Sequence, residues 1–491
     1  MRVTNSMIYG NSLNNIWRNV KHINGLAQQI ETTKRIQRPS DDPILAARAM
    51  RYRTILSETE QFLSNANSGM AWMDASEAAF MNLLNENDAA LQEINRRLVA
   101  ASSGTHELAD RLAMVKEMRE FFDQISLEMN QTYMGRFVFS GFYTNQPPIL
   151  NTDMTDRSFV ITQQIGRNQI QQVRSFQNMP PDGRLPEVYT FNVINLPYRG
   201  VDSDALEIPG FTVIRRSIHD EDAYTPTATD ESTGLPVIHF IPETGELIMH
   251  ADTAEGFPRS LDIQYRVDNP KKGEPNPIVY FHTREVGWNN THDNGDGTFG
   301  AWLPLEPVST HTYNTDGHQI RIEMAPSNHI TINSLAKEIF TPAMYADLLA
   351  LFEFVENLPV SDPRAVEAYF KDLGYVGQNL TDEVNKFMSD EAARVQDVLH
   401  TRFYHMLGVF SRHKDIVQRE HTSLGSRMNR IEMISVRLEE EEINYTALLS
   451  ANEDTQLQEA IMRLNAGEAA FNAALRANAM IVQLSLVNFL R

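Results

Sequence analysis

The sequence predicts an α+β multidomain protein in which long N- and C-terminal helices form a coiled-coil bundle, with a mainly antiparallel β central domain. Three observations carry this prediction. Apolar residues recur at 3-4 spacing toward both ends of the chain, the spacing changes to two in the middle, and helices do not alternate with the strands there.

The first helix runs along Leu13, Ile16, Val20, Ile23, Ala27 and Ile30, a repeat without a miss that keeps one narrow seam toward a partner helix. It stops near Arg38-Pro39-Ser40-Asp41-Asp42-Pro43. Two prolines, a Ser and two Asp make a loop there, then an N-cap with Pro43 in the first turn of the next helix. The second helix keeps the spacing from Leu45 to Leu98, with 13 of 16 seam positions apolar. One unbroken helix of that extent is about 80 Å long. Ser102-Ser103-Gly104-Thr105 ends it, and a third helix continues through Leu108, Leu112, Val115, Phe122, Ile125 and Met129.

After Gly135 the period becomes two. The clearest strand is Leu261, Ile263, Tyr265 and Val267, each separated by a polar residue, which buries one face and wets the other. Residues 237–241, the turn Pro242-Glu243-Thr244-Gly245-Glu246 and residues 247–249 read as a hairpin, and Ile320, Ile322 and Met324 make another alternating strand. Two small sheets or an antiparallel sandwich fit this pattern.

Helical patterning returns over 341–358, over 363–373, and from Thr381 almost to the end, interrupted at Asn452-Glu453-Asp454. The last stretch carries Ile461, Leu464, Phe471, Leu475, Val482 and Phe489 on a 3-4 stripe, a weaker seam than that of the second helix. The segments are therefore 1–42, an assembly helix; 43–134, the first part of a helical bundle; 135–335, a β-rich outer domain with room for two subdomains; 336–455, the second part of the bundle; and 456–491, a second assembly helix. Apolar stripes of this kind must be covered. An intramolecular bundle would cover them, and so would pairing with neighbouring copies in a ring or helix.

Composition narrows the function. The chain has 491 residues, 42% hydrophobic and 22% charged, and its 43 Lys and Arg against 64 Asp and Glu give a formal charge of −21. Nucleic acid and anionic membranes repel such a surface. There is no cysteine, so disulfides, thiolate metal sites and cysteine nucleophiles are excluded. The amino-terminal residues lack the uninterrupted apolar core of a secretory signal, and no 18 apolar residues run together, which points to the cytoplasm or to secretion by a dedicated machine.

No complete catalytic constellation is present, and no metal or cofactor site is expected. Ser334-Leu335-Ala336-Lys337 matches the S-x-x-K element of acyl-serine enzymes without its companion motifs and reads as a helix start. Asp293-Asn294-Gly295-Asp296-Gly297 lacks the calcium-loop Glu and reads as a hairpin turn. His400, His405, His413 and His421 are never three or four apart and read as packing or solvated side chains. Asn379-Leu380-Thr381 is a chance-level sequon. The run 439–442 of four Glu is a wet helix face, with Glu441 on the stripe and open to an Arg of a neighbour.

Four ordered motifs resemble the flagellin family. They are Arg38-Pro39-Ser40-Asp41-Asp42-Pro43 with Ala46-Ala47-Arg48-Ala49; Gly135-Arg136-Phe137-Val138-Phe139-Ser140-Gly141; Gly425-Ser426-Arg427-Met428-Asn429-Arg430-Ile431-Glu432; and the stretch from Leu449-Ser450 through Glu453-Asp454 to Gln483-Leu484-Ser485-Leu486-Val487-Asn488-Phe489-Leu490. The resemblance covers roughly the first 145 and last 155 residues and the helix over 343–358, leaving the middle unlike anything familiar. Within the family the motifs look most like its junction members, which lie between hook and filament.

The resemblance implies a non-enzymatic structural subunit without cofactors, exported by the flagellar type III apparatus to the bacterial flagellum outside the cell, with an export chaperone on the C-terminal helix. It further implies self-association in a ring on the first hook-associated junction protein, and a surface on which flagellin polymerises. The seam residues named above on the first and last helices are then the subunit-packing residues, and the free subunit has labile ends. Flagellin itself, the bulk filament subunit, is the alternative within the family. A surface- or glycan-binding middle domain using Trp288 and Trp302 is a more distant one.

Overall fold

The computed structural model describes residues 5–36, 38–85, 89–104, 106–155, 157–176, 188–199, 201–218, 220, 222–287, 311–358 and 361–489. The chain opens with α1 (Asn5–Thr32) and reaches α2 (Pro43–Leu84) through the proline loop. Asp42 caps α2 as its residue type requires: its Oδ1 accepts the amide N–H of Ile44 and of Leu45, each at 3.1 Å. The amide of Arg38 donates to Asp41 Oδ2 at 2.9 Å, which closes the loop.

The helix expected over 45–98 is two helices. α2 ends at Leu84, and Ala89 is extended (φ −74°, ψ 143°) immediately before α3 (Ala90–Ala101). Asn85-Glu86-Asn87-Asp88 lies between them. Asn and Asp are residue types whose side chains compete with helical hydrogen bonds, and the expected seam position Asn87 lies outside the described residues. α4 (Leu108–Met129) follows and packs on α3. The short hairpin of β1 (Thr132–Tyr133) and β2 (Arg136–Phe137) comes next.

The middle holds two five-stranded sheets. In the first, β3 (Arg157–Ile165) is central and pairs antiparallel with β10 (Leu261–Asp268), Leu261 opposite Ile165 and Asp268 opposite Ser158. β6 (Asp202–Glu207) flanks β10, and β11 (His282–Gly287) with β12 (Thr312–Tyr313) completes the other side. The second sheet has the order β4 (Gln171–Phe176), β5 (Val188–Asn195), β9 (Glu246–Met249), β8 (Val237–Ile241), β7 (Thr212–Arg215). The β8–β9 hairpin falls where its turn residues predict, and the strand at 261–267 does as well. One pair departs from the antiparallel expectation: β7 runs parallel to β8, Thr212 opposite Val237. Val173, Phe191, Val193, Ile241 and Ile248 form a core cluster under this sheet. β13 (Arg321–Ala325) and β14 (Asn328–Thr331) make a further two-stranded sheet.

The remaining helices are α5 (Ala251–Gly256), α6 (Pro277–Tyr280), α7 (Ala336–Ile339), α8 (Pro342–Glu356), α9 (Pro363–Asp372), α10 (Gly377–Glu453) and α11 (Leu457–Phe489). Pro342 and Pro363 open their helices behind Thr341 and Asp362 caps, as the sequence requires. Phe122 of α4 is an aromatic hub, with ring centroids 5.6 Å from Phe340, 5.2 Å from Tyr345 and 5.7 Å from Phe352.

The chain divides into two units. One comprises residues 1–68, 323–329 and 431–491; the other comprises 69–322 and 330–430. The second unit thus contains both large sheets together with α3, α4 and α8.

Candidate assembly surface

In the first unit α1 lies along α11, running the opposite way. The amide of Thr455 donates to the carbonyl oxygen of Thr33 at 2.9 Å, and Ile23 Cγ1 would meet a Cβ on Gly467 at 3.4 Å. Gly467 therefore sits where α1 comes close. Burial along α11 follows Ala460, Leu464, Gly467, Phe471, Ala474 and Asn478, a 4-3-4-3-4 spacing.

Of the residues expected on these seams, Ile16, Val20, Ile23, Ala27 and Ile30 of α1 are half-buried, as are Leu464 and Phe471 of α11. Leu13 is 56% exposed, Ile461 46% and Leu475 42%. The side chains of Val482 and Phe489 lie outside the described residues. Sequence reasoning missed Leu26, the most buried of the described α1 side chains, and Ala460, Gly467 and Ala474. Leu26 is three residues from Ile23 and four from Ile30, so the spacing alone admitted it. On α11 the small residues allow close approach, which rotates the seam away from Ile461 and Leu475.

The two helices are tied at a joint. Lys34 Nζ donates to Asp454 Oδ1 at 2.7 Å and lies 3.5 Å from Glu453 Oε2, and Arg53 reaches the same Glu453 oxygen at 2.7 Å. Asn452 Nδ2 donates to the Leu45 carbonyl at 3.0 Å, and Tyr52 packs on Tyr445 with centroids 6.4 Å apart. The hydrogen bond from Lys34 holds the Asp454 carboxyl below its usual range, and the same bond raises Lys34. One of the sequence motifs, the Asn452-Glu453-Asp454 interruption, thus serves this joint.

What the pair leaves uncovered is apolar. Met7 and Trp17 on α1 are 60% and 69% exposed, and Leu457, Met462 and Met480 on α11 stand out with Ile461 and Leu475. Apolar side chains concentrated toward solvent on one helical pair are uncommon on a lone soluble surface.

In the second unit the other motifs are structural. Gly135 and Gly141 have φ of +76° and +62°, and between them Val138, Phe139 and Ser140 are buried. The Phe139 carbonyl accepts the Ala336 amide at 2.9 Å, and its ring packs edge-on against Phe80. Arg427 donates to the Asn333 carbonyl at 2.7 Å and to Ser334 Oγ at 2.8 Å. Lys337 instead donates to the Thr315 carbonyl at 3.0 Å, so the S-x-x-K pair serves two separate partners at the start of α7. His413 bonds buried Asp347 at 3.0 Å, and His421 stacks on Phe80 and contacts Glu77 at 2.8 Å. Both pack, as the sequence suggests. Among the described residues no group of three His, Asp or Glu side chains could hold a metal, and no helix is long and apolar enough to cross a membrane. Trp288, Trp302 and the 293–297 turn lie outside the described residues.

A family model of the bacterial flagellin N-terminal helical region matches residues 3–144, from α1 through the Gly135–Gly141 loop. More narrowly, the chain is similar to flagellar hook-associated protein 3. With that of Salmonella typhimurium strain LT2 it shares 28% identity over 151 residues, 30% of this chain and 46% of the relative. With that of Escherichia coli strain K12 it shares 27% over 149 residues, again 30% and 46%. The chain spans about half the length of the curated relatives it matches. Among solved structures, the flagellar junction protein FlgL from Legionella pneumophila aligns over 84% of this chain and all of its own, at 11% identity and a TM-score of 0.29.

Proposed function

We propose that this chain is a structural subunit of the bacterial flagellum that builds the junction between hook and filament. The observation that carries the reading is the α1–α11 pair, which buries one seam and leaves Leu13, Trp17, Ile461, Met462 and Leu475 facing solvent. A surface of that kind gains most when copies dock on it. The match to the flagellin N-terminal helical region and the similarity to flagellar hook-associated protein 3 support it.

In this reading copies self-associate as a ring, with Leu13, Ile16, Val20, Ile23, Ala27, Ile30, Ile461, Leu464, Phe471, Leu475, Val482 and Phe489 as the packing residues. The ring sits on the first hook-associated junction protein and offers flagellin a surface on which to polymerise. The chain reaches this place outside the cell through the flagellar type III apparatus, with an export chaperone on α11. Its work is mechanical and not catalytic. The test is deletion from its own cell. Loss of filaments with flagellin monomer shed into the medium supports the junction reading; loss of the bulk monomer itself identifies the chain as flagellin.

A further inference from the structure

The first unit separates charge along the sequence. Residues 1–68 hold nine Lys and Arg against five Asp and Glu, and residues 431–491 hold four against nine. Beside exposed Trp17 a groove of about 1020 Å³ is lined by Arg18, Lys21, Arg35 and Arg38, and Asp41 is the one carboxylate on its wall. Asp41 already accepts the Arg38 amide. None of the four cationic side chains has a carboxylate partner among the described residues.

The complementary surface is on α10. Met433, Val436 and Ile443 are 68%, 52% and 69% exposed and share one helical face through their spacing of three and seven. Glu439 and Glu440 stand exposed beside them, whereas Glu441 is taken by Arg437 at 3.7 Å.

We infer that the Trp17 groove receives this α10 face from a second copy of the chain. Trp17 packs against Met433, Val436 and Ile443 while Arg18, Lys21, Arg35 and Arg38 face Glu439 and Glu440. The pairing has the build of a stable interface, an apolar anchor with a charged rim. Charge also favours the occupant: copies carrying −21 repel one another in general, and contact where unlike patches meet offsets that repulsion. This deepens the self-assembly proposed above and rests on it.

The chain has no cysteine, which makes a clean crosslinking test possible. Full-length copies carrying only Lys21→Cys are mixed with copies carrying only Glu440→Cys under mild oxidation. The mixture should give a disulfide-linked dimer at about tenfold the yield of either variant alone. The double variant Arg18→Glu/Lys21→Glu should lower self-association about tenfold, a few exposed pairs' worth, and combining it with Glu439→Lys/Glu440→Lys should restore it. Circular dichroism checks that each variant keeps its helices. If unaltered copies self-associate but the mixed disulfide does not form, the groove has another occupant and this inference fails while the self-assembly reading stands. If the mixed disulfide forms but the combined charge swap does not recover association, direct charge pairing fails. No self-association of unaltered copies at any salt concentration overturns both.

Discussion

Two glycines of one loop separate backbone strain from packing. Gly135 has φ +76° and open space where a Cβ would project, whereas Gly141 has φ +62° and would place its Cβ 2.8 Å from His318 Cβ and 3.0 Å from Leu335 Cδ2. An alanine in the left-handed region costs about 1 kcal/mol at either site. At Gly141 the methyl group must also displace His318 close to its backbone, an overpacking cost of about 1–3 kcal/mol. Gly135→Ala should therefore lose about 1 kcal/mol and Gly141→Ala about 2–4 kcal/mol. Urea unfolding of the full chain, with amide exchange reporting on the second unit, measures both. The unfolding constant of Gly141→Ala should exceed that of Gly135→Ala by roughly five- to 150-fold. Equal losses in the two variants would overturn the packing account of Gly141.

Leu26→Ala should weaken the α1–α11 pairing by about 2 kcal/mol, seen as faster proteolysis within 5–32, because Leu26 is 5% exposed. Trp17→Ala should leave that protection unchanged and reduce self-association, because Trp17 faces solvent. Burial lifts Glu274 to about 7. Its folded form holds the proton more tightly than the unfolded chain, so the second unit should lose stability as pH rises from about 4.5 through 7; Glu274→Gln should flatten this, with up to about 3 kcal/mol recovered at pH 8 in urea titrations. At the joint, Asp454 is held low by Lys34, so its contribution is present above the ordinary carboxylate range and lost as pH falls through the lowered value. The protection factor of the Thr455 amide, after correction for intrinsic exchange, should fall in acid and stay flat from pH 5 to 8. Asp42→Ala removes the acceptor of two amides and should fray the start of α2 at a cost of about 1 kcal/mol, read by exchange at Ile44 and Leu45.

Much of the fold was legible because local rules and tertiary structure agree. Asp42 caps the helix that its position predicts, Pro342 and Pro363 open theirs, and the alternation at 261–267 is a strand with one buried face. The break between α2 and α3 was hidden because Leu84 and Leu91 keep the heptad phase across it, so the seam reads through four polar residues that end the helix. The parallel β7–β8 pair was hidden because residue alternation fixes a strand's faces and not its partner's direction. On α11, Ile461 and Leu475 drew the seam by hydrophobicity, whereas Gly467 and Ala474 set it by size. The Trp17 groove could be suspected from the charge bias of residues 1–68, but its cations are brought together only by the turn that returns Arg35 and Arg38 toward α1.

The joint links residues 420 positions apart, Lys34 with Asp454. Whatever end of the polypeptide appears first, on a ribosome or through a narrow conduit, its half of that clasp finds no counterpart until nearly everything else has followed. Closing so distant a contact is slow, and during that wait the greasy flank of α1 stays naked. A molecule cut short before Asp454 would lack the partner of Lys34 and leave α1 with no α11 to lie against.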